Sequence, residues 1–148
     1  MSCSLDVNIL IYASDKGSEY FTAASDFLET LAEGNEPVYI PWITVMSYLR
    51  IATHPRIFSA PLSAEEAEAN MGAFLSLSNV RPINELDNFW SVYKEITSDK
   101  PIRANLVPDA HLAAVLKQHG IRTLYTHDKD FRRFPFLEVI DPLVRKGS

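Results

Sequence analysis

The chain of 148 residues has one cysteine, Cys3, five glycines and no long apolar run. A single cysteine excludes an intrachain disulfide and any cysteine-rich metal site. None of the glycines forms a G-x-G pair, so the dinucleotide and phosphate-loop fingerprints are missing. No G-x-S-x-G elbow occurs, which removes the commonest serine-hydrolase signature. No stretch approaches the ~20 apolar residues of a membrane span. The N-terminus lacks the basic start and long apolar core of a signal peptide, so the expected location is cytoplasmic, with no membrane partner. Basic residues are the minority: 14 Lys and Arg stand against 19 Asp and Glu, a formal net charge of −5. Nucleic-acid binding by bulk positive charge is therefore disfavoured, although a nuclease whose site is acidic because it holds metal remains open.

Hydrophobic residues make up 47% and charged residues 22%, an ordinary globular balance. The length fits one domain, which buries ~70% of the surface its unfolded chain exposes. Helical and strand patterns alternate along the whole chain, the mark of an α/β layered fold. Strands are expected at residues 3–6, 38–40, 80–83, 122–125 and 137–140. Pro82 marks the third as short or at an edge. Helices are expected at 8–13, 19–31, 42–52, from 63, around 86–96, and from Pro108 to a stop at Gly120. Ser63 and Glu66 have the spacing of a capping box.

Three acidic segments stand far apart in this pattern. Asp6 ends the first strand, Asp109 follows Pro108 in the first turn of a helix, and Asp128 and Asp130 follow the strand 122–125. Sites in open α/β sheets form beyond the carboxyl ends of strands. Asp109 shares a helical face with Leu112, Ala113 and Leu116, and the helix dipole favours its charged form. Each aspartate has a plainer role available. Asp6 and Asp128 suit helix or turn caps, and Asp109 complements a dipole. Converged, they need a cation. Two carboxylates ~4 Å apart repel by ~4 kcal/mol at an effective dielectric of ~20. Three such pairs would cost ~12 kcal/mol, against a whole-domain stability of ~5–15 kcal/mol. Mg2+ or Mn2+ would remove that cost.

The blocks Asp6-Val7-Asn8-Ile9-Leu10-Ile11-Tyr12, Val107-Pro108-Asp109-Ala110-His111-Leu112-Ala113-Ala114 and Thr126-His127-Asp128-Lys129-Asp130-Phe131 resemble, in order and spacing, a PIN domain. The match is best to the VapC family of toxin–antitoxin ribonucleases and covers nearly the whole chain. The resemblance implies a three-layer α/β/α fold with a mostly parallel sheet of about four or five strands, in a single domain over 1–143. Residues 144–148 are left as a tail, in which Gly147 and Ser148 are of the kind a cloning vector leaves. It also implies Mg2+-dependent cleavage of RNA, with Mn2+ as a substitute, inhibition by a VapB-type antitoxin, and a homodimer. Asp6, Asp109 and Asp128 match the family's acidic metal positions, Thr126 a hydroxyl beside them, and Asp130 an outer-sphere partner.

The family's fourth acid, a glutamate before a pattern like Tyr48-Leu49-Arg50, is replaced by Ser47, and no acid lies between Pro41 and Ala64. A serine holds a metal-bound water but brings no charge. Two readings follow: a ribonuclease with three acids, or a PIN-fold binding protein with weak or lost catalysis. A haloacid-dehalogenase-like phosphotransferase is disfavoured because Asn8 stands where that chemistry needs a second aspartate. Asn8 and Asn105 are candidates to contact ligands or phosphate, or are turn amides. Arg50, one helical turn beyond Ser47, is a candidate for the scissile phosphate. Arg103, Lys129, Arg132 and Arg133 form either a basic rim for RNA or a solvated face. The four histidines have no metal-ligand spacing.

Overall fold

The structure, a computed structural model, describes residues 1–58 and 60–144. Most of the expected tail, 145–148, lies outside the described residues. The elements run β1 (Cys3–Leu5), α1 (Val7–Ser14), α2 (Phe21–Glu33), β2 (Val38–Pro41), α3 (Trp42–Ala52), α4 (Ala64–Leu75), β3 (Val80–Ile83), α5 (Phe89–Ile96), α6 (Leu106–Gln118), β4 (Thr123–Tyr125) and β5 (Glu138–Ile140). A short 3-10 turn, Lys129–Arg133, joins the last two strands. The expected three-layer α/β/α fold is present. The five strands form one sheet of order β3-β2-β1-β4-β5, and every neighbouring pair is parallel. Among the described residues, no helix is long and apolar enough to cross a membrane.

Two apolar clusters cover the two faces. One packs α1, α2, α3 and α4 around Leu5, Ile9, Val38, Ile40 and Tyr48. The other packs α5, α6 and the 3-10 turn around Leu116, Ile121, Leu124, Phe131 and Phe134. Strands buried on both faces explain why β1 shows no polar alternation: Cys3, Ser4 and Leu5 are all buried. The edge strand β3 carries Pro82, as a missing N–H donor requires.

Boundaries shift for local reasons. The α1 helix begins at Val7 because the Asp6 side chain accepts from the Val7 backbone N–H and caps it. Pro41 does not simply close β2; it is the strand's last residue and the N-cap of α3. Pro108 is the third residue of α6, not the first. The first helical N–H groups have no intrahelical acceptor anyway, so a proline there costs no bond. The α5 helix starts at Phe89 rather than near Leu86, since the Leu86 backbone is held by the Gln118 side-chain amide. Beyond α6, Gly120 takes φ +69°, the left-handed conformation that a helix stop requires. The capping box at α4 is formed as expected, with Ser63 Oγ accepting from Glu66 N and Glu66 accepting from Ser63 N.

The topology places the site. From central β1 the chain moves outward to β2 and β3 on one side. It then returns to β4, on the other side of β1, and moves outward again to β5. The carboxyl ends of β1 and β4 therefore flank the point where strand order reverses, where open α/β sheets form their ligand crevice.

Candidate metal centre

Parallel pairing of β1 with β4 matches Leu5 to Tyr125. The ladder continues one step further, with Asp6 N donating to Tyr125 O at 2.9 Å. Asp6 and Thr126 are thereby set side by side. The buried Thr126 hydroxyl donates to Asp6 Oδ2 at 2.9 Å and accepts from Asp128 N at 3.0 Å. Asn8 Nδ2 reaches the same hydroxyl at 3.4 Å, while Asn8 Oδ1 is buried without a partner among the described residues. One hydroxyl thus ties together three of the residues singled out in the sequence.

The 3-10 turn aims the next two acids. Asp128 caps it, accepting from Asp130 N at 2.8 Å. Asp128, Asp130 and Asp109, the last from the first turn of α6, bring one carboxylate oxygen each to within 4.8 Å of the others. Asp6 lies beside this trio but outside its shared oxygens; Oδ1 accepts from Val7 N and Oδ2 from Thr126. Capping and clustering are therefore compatible, because a carboxylate has lone pairs for both.

Electrostatics follow from the crowding. The Asp109 carboxyl is pushed up to about 7, chiefly by burial, then by the charges of Asp128, Asp6 and Asp130, with Arg133 drawing it partly back. The helix dipole, expected to favour ionised Asp109, is outweighed. Burial raises Asp6 as well, and the Asp128 charge adds to it, against the opposing hydrogen bonds from Thr126 and Val7. Burial and mutual repulsion thus hold these carboxyls above their ordinary range, with Arg133 only a partial counter-charge to Asp109. The donor set is oxygen only, with no histidine or cysteine, and so fits a hard divalent cation.

On one side of the trio, a cleft of about 150 Å³ is lined by Asp6, Ser47, Arg50, Pro108, Asp109 and Phe131. Ser47 and Arg50 thus face the same space as two of the acids, across from α6. Asn105 makes no side-chain cap and stays outside that cleft. Arg133 Nε donates to Asp130 O at 3.0 Å. Together with its pull on Asp109, this ties Arg133 to the site more closely than a rim cation; the sequence offered only its position in a cationic run. The histidines have other duties: His111 pairs with Glu85, His119 with Asn84 O, His127 with Asp141, and His54 Nδ1 accepts from Arg56 N. Among the aromatic residues, Tyr48 is buried, whereas Trp90 is 68% exposed and stacks on Tyr93.

A family model described as PIN domain matches residues 4–137. Ribonuclease VapC48 of Mycobacterium tuberculosis is 39% identical over 142 residues, 96% of this chain and 98% of that protein. Ribonuclease VapC43 of the same organism is 29% identical over 139 residues, 94% of each chain. Among solved structures, the fold is similar to that of VapC20 of Mycobacterium tuberculosis, described as a sarcin-ricin loop cleaving toxin. There the TM-score is 0.69 at 20% identity, covering 94% of this chain and 99% of that one. The toxin–antitoxin assembly VapBC2 of Rickettsia felis, bound to a DNA fragment from its promoter, gives a TM-score of 0.67 at 23% identity, covering 94% and 97%. With a PIN-domain model matched over most of the chain and 39% identity to a VapC ribonuclease over nearly the full length, this chain belongs to the PIN-domain family, among its VapC members.

Proposed function

We propose that the protein is a metal-dependent endoribonuclease, the toxin of a type II toxin–antitoxin pair, held in check by a VapB-type antitoxin and working as a homodimer in the cytoplasm. The observation that carries the catalytic reading is the convergence of Asp109, Asp128 and Asp130 within 4.8 Å, which a structural role alone would penalise. A VapB-type partner is supported by the VapBC assemblies that share this fold.

Asp109, Asp128 and Asp130 are the residues that would hold Mg2+, or Mn2+ in its place. When bound, the metal polarises a phosphoryl oxygen and lowers the pKa of a water. Asp6 keeps unused lone pairs beside the trio and completes the acidic wall. Thr126 fixes the orientation of Asp6 and of the Asp128 backbone. Arg50, which lines the same cleft as Asp109, provides charge for the phosphate being cut. Ser47 offers a hydroxyl to orient water. The four-acid pattern is thus approached without an acid at position 47, because Asp130 adds a carboxylate from the 3-10 turn. This weighs against a purely partner-binding protein that has lost catalysis.

The test is cleavage of labelled RNA with Mg2+, with chelator, and by Asp109→Ala and Asp6→Ala variants that melt cooperatively. Cleavage is expected only from the wild type with metal. Equal cleavage under all four conditions would sink the assignment.

A further inference from the structure

A second cleft reaches the acid trio at Asp128. This one, of about 230 Å³, is lined by Thr126, His127, Asp128, Lys129, Arg132 and Asp141 among others. Asp128 belongs to both the trio and this cleft, as Asp109 belongs to both the trio and the first cleft. Each cleft therefore reaches the acid cluster, the first carrying Arg50 and the second Lys129 and Arg132.

The cations of the second cleft are uncommitted. Among the described residues, neither Lys129 nor Arg132 forms an ion pair, and both are exposed. The nearby carboxylate of Asp141 is taken: Oδ2 pairs with His127 Nδ1 at 2.7 Å, and Oδ1 accepts from Leu143 N at 2.9 Å. His127 is in turn packed against Tyr20 and Tyr12, at ring separations of 4.6 and 6.0 Å. The His127–Asp141 wall is therefore fixed, and Lys129 and Arg132 line a cavity of a size that admits an anion. The neighbouring Arg133 turns away toward Asp130 and Asp109, so the 3-10 turn divides its three cations between site and cleft.

We propose that this second cleft is a phosphate subsite. Lys129 and Arg132 hold the RNA phosphate adjacent to the one being cut, on the opposite side of Asp128 from Arg50. The proposal rests on the ribonuclease reading. A net charge of −5 disfavours gathering RNA by bulk charge, so cations placed beside an acidic site supply register.

The experiment measures binding of a labelled single-stranded oligoribonucleotide by anisotropy over a range of KCl, with Ca2+ replacing Mg2+ to slow cleavage. Each phosphate neutralised on a single strand contributes about −0.7 to the slope of log K against log salt. The Lys129→Ala/Arg132→Ala variant is expected to bind several-fold more weakly at low salt with a slope shallower by about 0.7. A Lys94→Ala control, on α5 outside both clefts, is expected to keep the wild-type slope, as is a charge-conserving Lys129→Arg. Equal slopes in wild type and the double variant overturn the subsite. So does an equal loss in Lys94→Ala, which would mean bulk charge only. A wild type that cleaves RNA while the double variant keeps its slope leaves the ribonuclease reading standing; a wild type that neither binds nor cleaves RNA ends both.

Discussion

The Thr126 hydroxyl donates to Asp6 Oδ2 across 2.9 Å while accepting from the Asp128 backbone N–H across 3.0 Å. One buried oxygen thus couples the end of β1 to the turn that carries two of the three clustered acids. Thr126→Val removes both bonds, and with them the longer one from Asn8 Nδ2, a loss of roughly 1–3 kcal/mol for each polar group left unpaired. Urea denaturation is expected to show that loss, and cleavage is expected to fall further than stability accounts for. Thr126→Ser keeps the hydroxyl and retains most activity. Equal activity in the two variants would remove the coupling role.

Asp109 offers a case where function and stability oppose each other. Its folded pKa of about 7 lies above the ordinary value of 3.8, so between the two the folded protein holds a proton that the unfolded chain has released. Metal-free stability from this group is therefore full below the unfolded value and is lost as pH rises toward about 7. Melting temperature without metal is expected to fall between pH 5 and pH 8, on the order of a few degrees. Added Mg2+ or Mn2+ raises it more at the high end, since a metal requires the ionised carboxylate.

Asp109→Asn removes a repelled charge and keeps the shape. Its metal-free form is expected to be more stable than wild type by roughly 0.5–2 kcal/mol. It should lose the metal-induced rise in melting temperature and nearly all cleavage. A destabilised Asp109→Asn would contradict the electrostatic account of the site.

Ser47→Glu returns an acid to the cleft shared by Asp6 and Asp109. Calorimetry is expected to show metal affinity rising by about tenfold or more, as one extra carboxylate near a divalent ion implies. The metal-free protein becomes less stable, because the repulsion grows. Unchanged metal affinity would mean that position 47 does not face the ion.

Ser63→Ala provides a control remote from the chemistry. It breaks the capping box of α4 and is expected to cost ~1 kcal/mol, or a drop of roughly 4 °C in melting temperature for a domain of this size. Cleavage per folded molecule should not change.

The alternation of elements, the Ser63 box and the three acidic segments were legible because each is a local pattern: apolar periodicity, a side chain three residues from its acceptor, a carboxylate at the end of a strand. Asp6 and Asp128 as caps were legible for the same reason. The start of α6 was not, since Pro108 fits the third helical position as well as the first.

By itself the sequence determined which residues are acidic, which segments form strands and helices, and that the segment between Pro41 and Ala64 carries no acid. Tertiary structure alone decided how those acids meet. Parallel register between β1 and β4 set Asp6 beside Thr126. The 3-10 turn brought Asp130 into the trio, while each Asp6 oxygen accepts one bond, from Val7 N and from Thr126. Burial overrode the helix dipole at Asp109. Side-chain direction, burial and mutual distance depend on contacts more than a hundred residues apart in the chain, such as Thr126 with Asp6, and no local pattern carries them.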